Sequence, residues 1–146
     1  MNKIKLGGNQ GFIEISLGNT IDWQNEGTVT IQSGNYYVLN AELWMSLNEL
    51  IELYEELQEA YKTLKGNIVF SNLDGSLKFT LQFTSLGQIN CEGSFQEYPS
   101  QENNRLKFEF MIDQSHLPAA LTGMKAIVEP YYRQKNHKSN FIFNSI

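Results

Sequence analysis

Cys91 is the lone thiol of the chain, and His116 and His137 are its two imidazoles. A cysteine beside a histidine base would supply covalent catalysis. Cys91, however, alternates in phase with Ile89 on an apolar strand face, where a thiol behaves as a small core hydrophobe. His116 stands just ahead of Leu117-Pro118, near a helix start, where a solvent-facing ring is a simpler reading than a base. One cysteine makes neither an internal disulfide nor a cysteine-cluster zinc site, and two histidines exclude most His-rich metal sites. G-x-x-x-x-G-K-[ST], a helix-opening G-x-G-x-x-G, H-E-x-x-H, C-x-x-C and G-x-S-x-G are all missing. Accordingly no catalytic, cofactor-binding or metal-ligating residue is assigned, and no cofactor is expected.

Carboxylates are more plentiful. Glu52, Glu55, Glu56 and Glu59 follow i, i+3, i+4, i+7 spacing and share one helix face. Like charges so placed repel by a few tenths of a kcal/mol each, roughly. A bland reading is a solvated face that keeps the protein soluble. The sharper one is a negative surface that docks a basic partner. A cation site needs oxygens converging from several directions, which one helix face does not supply. Nothing local selects a glycosidase pair.

The helix carrying these glutamates is the clearest element. Ser46-Leu47-Asn48-Glu49 is a capping box, and Leu47, Leu50, Ile51, Tyr54, Leu57, Tyr61 and Leu64 follow at helical spacing. Gly66 stands where a left-handed cap belongs, giving a helix over about 47–65. Before it, alternation and turn residues predict strands, with Tyr37, Leu39, Ala41, Leu43 and Met45 on one face. After it comes a β-meander. Ile68 and Phe70 start it, Asp74-Gly75 signals a type I′ hairpin, and Leu77, Phe79, Leu81 and Phe83 alternate with polar neighbours. Ile89, Cys91 and Phe95 point inward, with Gly93 as a candidate bulge. Residues 97–104 form the longest polar loop. Leu106, Phe108, Phe110 and Ile112 make the last strand, Asp113 caps a short helix restarting at Pro118, and Pro130 ends it.

Length and composition bound the rest. The chain has 146 residues, enough to bury about 69% of its extended-chain surface in one core. With 41% hydrophobic residues it is too apolar for disorder, and a net charge of −5 disfavours direct nucleic-acid binding. All but one of the sixteen acidic residues precede Gln114, whereas four of the eleven basic residues follow it. No stretch resembles a signal peptide or a membrane span, so the cytoplasm is the expected compartment, without membrane association. The expected architecture is α+β: an antiparallel curved sheet or β-sandwich packed against the 47–65 helix, with a short second helix near 114–128. It is expected as a single domain over 1–146, with 130–146 as a C-terminal appendage. The core should hold Ile13, Ile15, Leu39, Leu50, Tyr54, Leu57, Ile68, Phe70, Leu77, Phe79, Leu81, Phe83, Ile89, Cys91, Leu106, Phe108 and Phe110. Tyr36, Trp44, Tyr98, Tyr131 and Tyr132 are less clearly inward, and exposed Tyr and Trp suit interfaces or sugar platforms.

The segments LYEELQEAYKTLKGNIVF, LKFTLQFTSLGQINCEGSF and NRLKFEFMIDQSHLP, with an early I-x-L-x-GNQG-x-I-E-I, resemble the WapI-type immunity proteins. Tyr54–Gly66, Leu86-Gly87-Gln88-Ile89, and Phe108-Glu109-Phe110 running into Asp113-Gln114-Ser115 carry the likeness most. It covers about residues 4–129. Members of that family neutralise the toxic C-terminal domain of wall-associated WapA polymorphic toxins, often a nuclease. The resemblance implies a non-enzymatic immunity protein whose partner is a cognate toxin C-terminal domain, and it assigns no binding residue by position. Glu52, Glu55, Glu56 and Glu59 are the partner-binding candidates from the charge pattern alone. The competing expectation is a carbohydrate- or ligand-binding β-sandwich module, which would need several coplanar exposed aromatic rings.

Overall fold

Alternating apolar and polar residues lay down eight strands, and the one strong helical run falls between the fourth and the fifth. The computed structural model describes residues 2–98 and 103–144, the last ten of these as backbone only. Strands β1 (Asn2–Gly8), β2 (Gly11–Leu17), β3 (Gln24–Ser33) and β4 (Tyr36–Ser46) form one antiparallel sheet in chain order. Strands β5 (Asn67–Ser71), β6 (Leu77–Phe83), β7 (Gln88–Phe95) and β8 (Leu106–Asp113) form a second. Helix α1 (Leu47–Thr63) links the sheets, and a 3-10 turn at Gln114–His116 leads into α2 (Leu117–Asn144). The α+β class expected from the sequence is the one that forms. Strand β8 lies against β1, β2 and β3, α2 against β1 and α1, and α1 against β4 and β5. One continuous apolar core results, drawing on both sheets and both helices.

Pairing registers bring buried residues side by side. In the first sheet Ile13 stands between Leu6 and Ile31, and Ile15 between Ile4 and Val29. In the second, Leu81, Cys91 and Phe110 form one inward row, and Phe70, Phe79, Gly93 and Phe108 form another. Phe70 and Phe79 stack with ring centroids 4.9 Å apart, which adds to their area burial. Gly93 keeps regular register with both neighbours, so it is not the bulge its residue type suggested. It is a point of close approach: a Cβ there would fall 2.7 Å from Phe108 Cζ and 2.2 Å from the Lys78 carbonyl oxygen.

The long first-sheet hairpin departs from simple alternation. Val29 pairs with Ala41 but Ile31 pairs with Val38, so β4 carries one more residue than β3 across that step. Asn40 takes up the insertion at φ 49°, and its amide donates to Thr30 Oγ1 at 3.1 Å. The side-chain phase slips by one there. Ala41, Leu43 and Met45 are buried as expected, whereas Tyr37 and Leu39, expected inward with them, stand exposed, Leu39 by 73%. Phe83 and Leu106 also lie only half-buried at the core's margin.

Helix α1 starts as its sequence dictates. Glu49 N–H donates to Ser46 Oγ at 3.1 Å and Ser46 N–H donates to Glu49 Oε1 at 2.6 Å, completing the capping box. Leu47, Leu50, Leu53, Tyr54, Leu57 and Ala60 are its buried stripe, and each fully buried leucine contributes about 1.5–3 kcal/mol. The helix ends at Thr63, and Leu64 rather than Gly66 takes the left-handed cap conformation, at φ 54°. The turn at Asp74-Gly75 also differs from expectation. Only Gly75 has positive φ, and its N–H donates to the Asn72 carbonyl at 3.0 Å. A left-handed glycine closing an ordinary β-turn replaces the type I′ turn.

Asp113 caps the 3-10 turn as expected, accepting from Ser115 N–H at 3.0 Å. Helix α2 then begins with Pro118 in its first turn, where a missing N–H costs nothing. It does not stop at Pro130, which lies inside it. Pro130 removes one helical hydrogen bond. Tertiary contacts hold the chain in place immediately beyond: Tyr131 Oη donates to the Ile21 carbonyl, and Tyr132 Oη donates to Glu55 Oε1 at 2.6 Å. The Phe141-Ile142-Phe143 side chains and residues 99–102 of the polar loop lie outside what the structure describes.

Candidate partner-binding surface

The four glutamates singled out by charge pattern are all exposed on α1. They are not equivalent. Glu55 points toward α2, where it accepts the Tyr132 hydrogen bond. Burial, then the Glu55 hydrogen bond and its charge, push the Tyr132 hydroxyl up to about 12. The Tyr132 ring also sits 6.5 Å from that of Tyr54, so this corner clamps α1 to α2. Glu55 also borders a groove of about 420 Å³, together with Glu56, Glu59, Thr63, Lys65 and Asn67. Glu49, Glu52 and Glu56 line a smaller recess of about 100 Å³ with Val69 and Ser71. Helix and strand β5 are thus the two walls of one acidic trough. The helix wall was readable from spacing, whereas the strand wall depends on tertiary packing.

A second surface lies on and around β4. Trp23, Tyr36, Tyr37, Leu39 and Trp44 are exposed there. Trp44 Nε1 donates to Glu42 Oε1 at 3.0 Å, and Tyr98 Oη donates to Glu42 Oε2. The Glu42 N–H in turn donates to Glu97 Oε2 at 2.6 Å. Large aromatics held by a carboxylate are the side chains that anchor protein interfaces. Tyr36, Trp44 and Tyr98 are already less clearly inward from the sequence, whereas the outward turn of Tyr37 and Leu39 follows from the β4 phase slip. The close aromatic ring pairs among the described residues are Tyr54–Tyr132, Phe70–Phe79 and Phe108–Phe110, none of them on this surface.

The groups that could have done chemistry are kept apart by the fold. Cys91 is fully buried, and desolvation pushes its thiol up to about 12, so it carries no thiolate at neutral pH. His116 is exposed, its ring resting on the Gly8 backbone, where a Cβ would fall 2.5 Å from Nε2. The Asp113 carboxyl is held below its ordinary range by hydrogen bonds from Ser115, a capping role. Among the described residues, no three His, Cys, Asp or Glu side chains are placed to hold a metal ion. None of the described helices is long and apolar enough to cross a membrane.

No curated protein and no solved structure matches the chain. The model of the immunity protein WapI-like family matches residues 6–132, from β1 through both sheets and α1 to the Tyr132 clamp on α2. The chain belongs to the WapI-like immunity protein family.

Proposed function

We propose that this chain neutralises a cognate toxin C-terminal domain by stoichiometric binding, inside the cytoplasm of the cell that makes the toxin. The observation that carries the proposal is the family match over residues 6–132. The chemistry of the surface supports it. If the toxin is a nuclease, it presents a basic groove built to hold phosphates. The protein's net charge of −5 and the exposed Glu52, Glu55, Glu56 and Glu59 then offer a competing anionic surface.

The test is kinetic. Replacing Glu52, Glu55, Glu56 and Glu59 together by Gln keeps the fold, because three are solvated and Gln at 55 still accepts from Tyr132. Association with the toxin domain at low salt should slow by roughly 10-fold, and the difference should shrink as salt shortens the screening length. Unchanged association at both salts would remove the acidic face from the proposal.

A further inference from the structure

Two open meanders leave four sheet edges, and natural proteins block such edges with charge, bulges, proline or covering elements. Three are blocked here. Along β1, α2 packs so closely that a Cβ on Gly123 would lie 2.8 Å from the Lys3 carbonyl oxygen. On β4 the bulge at Asn40 bends the strand, Glu97 takes the Glu42 N–H, and Asn72 Nδ2 donates to the Trp44 carbonyl at 3.0 Å. Strand β8 abuts the first sheet, and its Glu109 carbonyl accepts from Ser33 Oγ at 3.4 Å.

Among the described residues, strand β5 carries no bulge, proline or charge; α1 packs beside it, with the acidic trough between helix and strand. The β5–β6 ladder is bracketed by Phe83 N–H donating to the Gly66 carbonyl at 3.0 Å and Asn72 N–H donating to the Leu77 carbonyl at 3.2 Å. By antiparallel alternation, Ile68 and Phe70 bond to β6, and the N–H and C=O of Asn67, Val69 and Ser71 point away from it. Among the described residues nothing hydrogen-bonds those outward groups. The strand reads Asn-Ile-Val-Phe-Ser, without charge, proline or glycine, and Val69 at its centre is 74% exposed. The trough runs along this same edge, lined among the described residues by Glu49, Glu52, Glu56 and Glu59 against a single basic residue, Lys65.

We infer that a basic, extended segment of the toxin adds to β5 as a further strand of the second sheet. Its main chain pairs with Asn67, Val69 and Ser71, and its Lys or Arg side chains at alternate positions meet Glu52, Glu56 and Glu59. Charge selects this occupant over a second copy of the chain, since pairing two β5 edges would bring two glutamate rows together. The inference rests on the immunity reading and names the surface that reading uses.

Val69→Pro tests it. The Val69 N–H faces away from β6, so proline there removes an outward donor and leaves the β5–β6 ladder intact. The probe is the C-terminal domain of the toxin encoded immediately upstream of this chain's gene, measured by calorimetry and by amide exchange of the complex. Binding should weaken roughly 10- to 100-fold in the variant, the loss expected when a buried partner carbonyl is left unpaired. The Asn67, Val69 and Ser71 amides of the unmodified protein should become protected on binding, a result that holds even if the variant folds poorly. A tight complex with unprotected β5 amides and an unaffected Val69→Pro variant would overturn strand addition while leaving the immunity reading in place. An unmodified protein that does not bind that domain would overturn both.

Discussion

Asn72 ties the two sheets together where β5 turns into β6, and Asn72→Ala measures that tie. Its Nδ2 donates to the Trp44 carbonyl at 3.0 Å and to Ser76 Oγ at 2.8 Å, and its Oδ1 accepts from Leu77 N–H at 3.0 Å. Asn72 is 2% exposed, Ser76 4% and Leu77 0%, so water cannot replace most of these bonds. Stranding the buried Leu77 amide costs about 1–3 kcal/mol. The Ser76 hydroxyl can rotate and the Trp44 carbonyl belongs to a partly exposed residue, so each adds about 0.5–1 kcal/mol. The expected loss is about 2–5 kcal/mol, read as a lower urea midpoint with unchanged slope. Trp44 beside the site supplies a fluorescence signal. Ser76→Ala, which removes one of the three bonds, should cost about 1 kcal/mol or less. A loss below about 0.5 kcal/mol for Asn72→Ala would mean the turn is held by its backbone bonds alone, and the link between β4 and β5 would carry no weight.

Gly93→Ala should cost about 1–3 kcal/mol, since its methyl would meet backbone and a packed aromatic ring; urea unfolding checks it, and a neutral result would show that the Phe79–Phe108 row can open. Tyr132 titrates at about 12 instead of 10, so the fold favours its neutral form. The stability it contributes is fully present below pH 10 and is lost as pH rises toward 12. Tyr132→Phe should flatten that part of the pH–stability curve, and a curve identical to that of the unmodified protein would remove the Tyr132–Glu55 clamp from the account.

Elements with local causes were read directly from the residues. The capping box at Ser46–Glu49 and the strict alternation of Leu77–Phe83 and Leu106–Ile112 form as expected, because each states its own geometry within a few positions. The departures come from interactions distant in sequence or from single-residue shifts. An inserted residue at Asn40 moves Tyr37 and Leu39 outward, and nothing in the alternation marks it. Pro130 passes through α2 because Tyr131 and Tyr132 find partners at Ile21 and Glu55, far back along the chain. Asn72 looks like any turn residue until Trp44 is placed beside it. Of the candidate surface, helical spacing set the four glutamates on one exposed face. The Tyr132 clamp on Glu55 and the open β5 edge across the trough follow only from how the sheets pack around α1.

The most direct measurement of the central claim is a titration of the toxin C-terminal domain's activity with this protein at known active concentrations. A stoichiometric inhibitor predicts activity falling linearly to zero at one equivalent, with a 1:1 complex recovered by size-exclusion chromatography. Inactivation by a small fraction of an equivalent would make the protein an enzyme acting on the toxin. Undiminished toxin activity at several equivalents, with no complex recovered, would contradict neutralisation by binding altogether.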